Sequence, residues 1–262
     1  MKVYEFGNIE NPKLLMFHGM ACTWKQNFGQ VIEKLKEQFY LIIPAYNGHN
    51  PDENKDFTSI TQTASEIDDY IMKNHNGKIY ASYGLSMGAN ILVEVLSNQR
   101  IQMEKAIIDA PDFVPFPSWF VKPVSKMVAS VGVKVLQNPK KLNSIILFLM
   151  TGSTSKDYGE EMINSSVFSG LTKNTIYNAY YADHVQHIPK AFKDTNVQVI
   201  CWCGSTENWA IKSIKNLKKY IPQLREKQFE GYKHGELIII HSELFIAELE
   251  TVLLTDLVGK IS

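Results

Sequence analysis

The chain has 262 residues, with 27 basic and 27 acidic side chains and a net charge of zero. That balance leaves no electrostatic footprint for nucleic acid, and no run of 18 apolar residues suggests a membrane span. With 45% hydrophobic and 21% charged residues, the composition is that of a globular protein, and the length suits one α/β domain with or without an insertion. Met1-Lys2-Val3-Tyr4-Glu5 lacks the apolar stretch of a signal peptide, so a cytoplasmic location is expected. Val3 to Phe6 reads as a strand, followed by a turn at Gly7-Asn8. Leu14 to Phe17 is a short apolar strand ending in His18-Gly19-Met20. Trp24, Phe28, Val31, Ile32 and Leu35 recur at helical spacing and predict a helix from Thr23 to Glu37, with Thr23 as N-cap. Phe39 to Ile43 predicts a strand ending at Pro44, and Tyr46 to Pro51 a turn-rich loop. A helix from Thr58 to Asn74, a strand from Lys78 to Ser82, a helical stretch from Ala89 to Asn98 and a strand from Lys105 to Asp109 follow.

This alternation implies a mostly parallel central sheet with helices on both faces. The rhythm breaks from Pro111 to about Ala191, where no run reads as a central strand. That segment is rich in Pro, Phe, Met and Tyr, at Val114 to Phe120, Leu142 to Met150 and Thr175 to Tyr181. It reads as an insertion of several helices. The rhythm returns with the buried strand Val197 to Cys203, then Lys227 to Glu230 as a final strand, Gly231-Tyr232-Lys233-His234-Gly235, and a long apolar C-terminal helix.

The most informative segment is Gly84-Leu85-Ser86-Met87-Gly88, between a strand and a helix. A serine there sits on a sharp strand-to-helix turn. Its flanking glycines avoid clashes with the neighbouring strand and helix, and its hydroxyl is pushed into the open beside the Met87 N–H and a helix N-terminus. With this elbow, the His18-Gly19 step after the early strand and two later positions, the chain resembles the α/β-hydrolase superfamily over nearly its whole length. The loop around Gly48-His49 is similar to that superfamily's G-H-G segment.

The resemblance implies an α/β-hydrolase fold, with core residues 1–110 and 192–262 and a helical cap (lid) over 111–191. It also implies a triad in the chain order Ser, acid, His. Ser86 would be the nucleophile and His234 the base, after the last strand. Glu207, three residues after Gly204, would be the acid, with Asp109 as the alternative and Asp183 as a poorer one. The family more often has Asp there. The backbone N–H groups of Met20 and Met87 would form the oxyanion hole. The function implied is that of a serine hydrolase cleaving an ester or thioester of a small, apolar acyl substrate through an acyl-serine. A carbon–carbon bond hydrolase, an acyltransferase and a non-catalytic small-molecule receptor remain alternatives. No cofactor is expected.

Other reactive side chains read as structural. Cys201 and Cys203 alternate along a strand as buried hydrophobes, and Cys22 reads as a packing residue. His184 and His187 have the spacing of a metal pair but no third ligand, so no metal site is expected. His18 belongs to the HG turn, His49 to a loop, His75 to a helix end and His241 to the last helix. Phe116 to Val121 could touch a lipid surface, but no basic patch accompanies it in the linear sequence, so a membrane partner is set aside. A small-molecule substrate is the expected partner, and a homo-oligomer stays open.

Overall fold

The computed structural model describes residues 1–137 and 168–254. Among these, seven strands form one sheet: β1 (Lys2–Phe6), β2 (Lys13–Phe17), β3 (Tyr40–Ala45), β4 (Ala81–Leu85), β5 (Lys105–Asp109), β6 (Gln198–Gly204) and β7 (Arg225–Phe229). Their order is β1-β3-β2-β4-β5-β6-β7. Only the β1–β3 pair is antiparallel. The mostly parallel sheet read from the alternating pattern is therefore present.

Eight α-helices accompany it among the described residues: α1 (Trp24–Leu35), α2 (Ile60–His75), α3 (Met87–Asn98), α4 (Ser118–Gln137), α5 (Lys173–Val185), α6 (Asn208–Leu217), α7 (Glu236–Ile239) and α8 (Ser242–Leu254). α1 packs with α7 and α8, whereas α2 packs with α3, so the two groups cover opposite faces of the sheet. α1 and α2 start where the sequence supplies a cap. Thr23 Oγ1 accepts from the Gln26 N–H, and the Gln26 side chain accepts from the Thr23 N–H, a reciprocal capping box. Ser59 Oγ accepts from the Gln62 N–H to open α2, which ends on Asn76 at φ 54°. β4 and β5 are buried along their whole length, as strands covered on both faces must be. β7, at the edge, exposes Arg225 to Gln228 to solvent. That charged row discourages pairing with another chain.

Two elements differ from the sequence expectation. β3 runs through Pro44 to Ala45 instead of stopping at Pro44. Pro44 pairs with Val3 of β1, while the β2 register ends at Ile42, so the missing N–H removes no ladder bond on the β2 side. The C-terminal helix is broken into α7 and α8, and His241 lies in the break rather than inside a helix. There the His241 N–H returns five residues to the Glu236 carbonyl, and the His241 carbonyl accepts from Phe245 to start α8.

Between β5 and β6, α4 and α5 pack on each other. The Leu142 to Met150 stretch lies outside the described residues. A short 3₁₀ turn, Lys190–Asp194, brings the chain back against α3 and buries Phe192 in the core. The sheet grows outward in both directions from β2 and β4. Its crevice therefore opens at the carboxyl ends of these two strands, where open α/β sheets bind ligands.

Candidate active site

β4 delivers Ser86 to that crevice. Ser86 has φ 57° and ψ −125°, a conformation costly for any residue with a Cβ and held only by strong surroundings. Its N–H donates to the Asp109 carbonyl at 2.8 Å, and its carbonyl accepts from Ala89 and Asn90 at 2.8 and 3.2 Å. Both flanking glycines are sterically required. A Cβ on Gly84 would lie 2.6 Å from the Gly88 carbonyl oxygen, and one on Gly88 would lie 2.3 Å from the Phe17 oxygen. The helix after the turn starts at Met87, two residues before the stretch read from sequence. The Met87 N–H thus falls in the first turn, outside the helix's own ladder.

The turn after β2 faces the elbow. A Cβ on Gly19 would stand 3.6 Å from Ser86 Cβ. The Gly19 N–H is taken by Asn27 Oδ1 at 2.8 Å, so Met20 offers the next donor along the chain. Ala21 completes the turn at φ 64°. His18 beneath it is buried, bonded through Nδ1 to the Gly19 carbonyl at 2.9 Å and stacked on Tyr46. Burial, with the nearby His49 adding, holds its pKa at about 3, so the ring is neutral. Cys22 donates towards the Gly19 carbonyl and Asn27 Oδ1, and burial raises its thiol pKa to about 12. It is a packing residue.

The loops after β6 and β7 are stitched together. Ser205 N–H donates to the Phe229 carbonyl, Gly231 N–H to Ser205 Oγ, and Thr206 Oγ1 to the Tyr232 carbonyl. Gly204 permits the close approach, since a Cβ there would lie 2.1 Å from the Tyr232 oxygen. These contacts deliver Glu207 to His234. Glu207 is 2% exposed; its Oε2 accepts the Gly204 N–H at 2.6 Å and its Oε1 lies 2.7 Å from His234 Nδ1. Burial pushes the His234 pKa down, but the Glu207 hydrogen bond and charge, with Asp109 and Asp183 farther off, outweigh it and raise the pKa above the ordinary value. The neighbouring Gly235 is near the elbow: a Cβ there would be 4.0 Å from Leu85 Cδ2.

Among the sequence candidates, Ser86, Glu207, His234, Met20 and Met87 all lie at the carboxyl-end side of the parallel strands. Asp109, the alternative acid, is engaged elsewhere. Its Oδ2 accepts from Tyr83 Oη at 2.7 Å, and burial raises its pKa to about 7 against the lowering effect of that bond. Asp183, on α5, accepts from Asn90 Nδ2 at 2.8 Å, and burial raises its pKa well above the ordinary value. Asn90 also exchanges two bonds with the Asp112 backbone, each 3.0 Å. It thereby ties the helix after Ser86 to Asp112 and Asp183, both between β5 and β6. The sequence analysis missed Asn90; the available signal was a polar residue within the apolar run of α3.

His184 is occupied by the Tyr180 carbonyl at 2.9 Å. No group of three or more metal-ligating side chains occurs among the described residues. A groove of about 660 Å³ between α2 and α5, lined in part by Ser59, Glu94, Tyr181 and His187, includes none of the triad candidates.

No family model and no curated protein sequence matches the chain, but solved structures do. A protein of Desulfitobacterium hafniense described as of the α/β-hydrolase family superposes with a TM-score of 0.83 at 20% identity, over 96% of this chain and 100% of its own. A thermophilic esterase of Thermogutta terrifontis gives 0.73 at 16% identity, over 96% and 92%. An epoxide hydrolase gives 0.69 at 16% identity, over 97% and 94%. With this sheet order and an elbow at the end of β4, the chain has the α/β-hydrolase fold.

Proposed function

We propose that the chain is a serine hydrolase that cleaves esters or thioesters of small, apolar acyl groups through an acyl-Ser86 intermediate. The observation that carries this reading is the 2.7 Å contact between Glu207 Oε1 and His234 Nδ1, in a chain whose Ser86 is held at φ 57° on a strand-to-helix elbow. With Nδ1–H donated to Glu207, the neutral His234 ring keeps Nε2 as the basic nitrogen. As Ser86 Oγ attacks the acyl carbon, its proton passes to His234, and Glu207 stabilises the resulting imidazolium. The oxyanion of the tetrahedral intermediate is met by the Met87 and Met20 N–H groups, each donor contributing about 3 kcal/mol. The His234 proton then goes to the leaving alcohol or thiol. Water repeats the sequence and releases the acid, so no cofactor enters. α5, tied to α3 through Asn90, and α4, packed on α5, act in this reading as part of a cap over 111–191, outside the core 1–110 and 192–262.

The test is intact mass after exposure to a fluorophosphonate probe. One adduct on the wild type and none on a folded Ser86→Ala variant is the expected result. An adduct on both would place the activated nucleophile at another residue, and none on either would bring a receptor role forward; each overturns the reading.

A further inference from the structure

The start of α4 carries a set of side chains that the triad does not use. Trp119 is 76% exposed, and Phe116, Phe120 and Met127 are each about half exposed. The three rings form one group, with Phe116 and Trp119 at 6.0 and 6.1 Å from Phe120. The opposite side of the helix is anchored. Val121, Ser125 and Ala129, spaced four apart, are buried, and α4 packs on α5. At 100° per residue Trp119, Pro123, Lys126, Met127 and Lys134 fall together on the outward side. α4 contains three lysines, Lys122, Lys126 and Lys134, and no acidic residue. No ion pair among the described residues engages any of the three.

We infer that this face of α4 docks on an anionic lipid surface. Aromatic rings exposed beside lysines, on a helix whose other side is buried in protein, have the pattern of an interfacial helix. The rings settle at headgroup depth, and the lysines meet anionic headgroups. The linear sequence set such contact aside for want of a basic patch. The helix supplies one by bringing Lys126 and Lys134 to the same side as Trp119 and Met127. Contact is peripheral, since no described helix is long and apolar enough to cross a membrane. A second copy of the chain fits less well, because a two-fold contact here would set lysines against lysines without acidic partners on the helix. The inference does not rest on the triad.

The experiment is sedimentation of the full chain with vesicles of phosphatidylcholine alone and of phosphatidylcholine mixed with phosphatidylglycerol, at low and high salt. Binding to the mixed vesicles that weakens with salt is expected. Lys126→Gln and Lys134→Gln should each weaken it roughly fivefold, and a Trp119→Ser/Phe120→Ser double variant should abolish it. Thermal stability and fluorophosphonate labelling of these surface variants should stay as in the wild type. The inference fails if the wild type stays in the supernatant with both vesicles, or if the variants bind as it does. It fails equally if the wild type forms a concentration-dependent dimer that Trp119→Ser dissolves, without vesicle binding.

Discussion

Two buried carboxyls near His234 differ in what they are bonded to, and that difference can be read out by pH. Glu207 contacts the ring at 2.7 Å; Asp109 is spent on Tyr83. The His234 pKa is raised because the Glu207 interaction outweighs burial. If His234 is the base, hydrolysis must fall as pH drops through that raised value. Glu207→Gln removes the charge and leaves burial to dominate, so the acid limb of kcat/KM should move to lower pH. The maximal rate should drop by roughly 10³-fold or more, because the ring loses its tautomer control. Asp109→Asn should keep the rate. It should instead alter stability. The folded-state pKa of Asp109, about 7, lies above its ordinary value, so the native state holds a proton that the unfolded chain releases. The wild type therefore loses stability as pH rises from about 4 to about 7, and the Asp109→Asn variant is spared that loss. The Tm of the variant relative to wild type should become more favourable between about pH 4 and about pH 8, measured by circular dichroism. If Asp109→Asn abolishes turnover and Glu207→Gln does not, the acid has been misassigned.

The strand-to-helix elbow was legible because it is local. Gly84, Ser86 and Gly88 are read by steric rules that need only a few residues of context, and the structure shows the clashes those glycines avoid. Thr23 announced the start of α1 for the same reason, and the structure adds Gln26 as its reciprocal partner. Pro44 misled because its tolerance depends on where β2 stops, a fact about a neighbouring strand. The C-terminal helix misled because its hydrophobic pattern runs unbroken past a backbone break at His241. Asn90 went unread because its meaning lies in Asp112 and Asp183, on other elements. Two glycine substitutions separate these cases. Gly88→Ala forces a Cβ within 2.3 Å of backbone oxygen, so the elbow or the end of β2 must shift, and fluorophosphonate labelling should be lost along with stability. Gly29, inside α1, would meet only Lys25 Cγ at 3.5 Å. Gly29→Ala should stabilise the fold by about 0.5–1 kcal/mol in urea melts without changing labelling.

At the scale of the molecule, the strand alternation declared a parallel sheet but not its order, since order is set by contacts between residues far apart in the chain. α8 is the clearest case. It returns across the sheet so that Phe245 packs edge-on against Tyr83 of β4 at 5.0 Å and against Trp202 of β6 at 6.2 Å. Its end is pinned by Lys105 Nζ, which donates to the Val252 carbonyl at 2.7 Å, and by Tyr80 Oη on the Leu253 carbonyl. Phe245 thus bridges Tyr83, on the strand that leads to Ser86, and Trp202, on the strand that leads to Glu207. Phe245→Ala removes a fully buried ring and leaves a cavity, at a cost of about 3–5 kcal/mol. Glu207 and His234 meet in the loops after β6 and β7, beyond the strand residues that Phe245 packs against. The urea midpoint should therefore fall steeply, while the acid limb of the pH profile stays where it is in the wild type. A shift of that limb in Phe245→Ala would mean that the core and the Glu207–His234 pair titrate as one unit, with Tyr83 and Asp109 as the link between them.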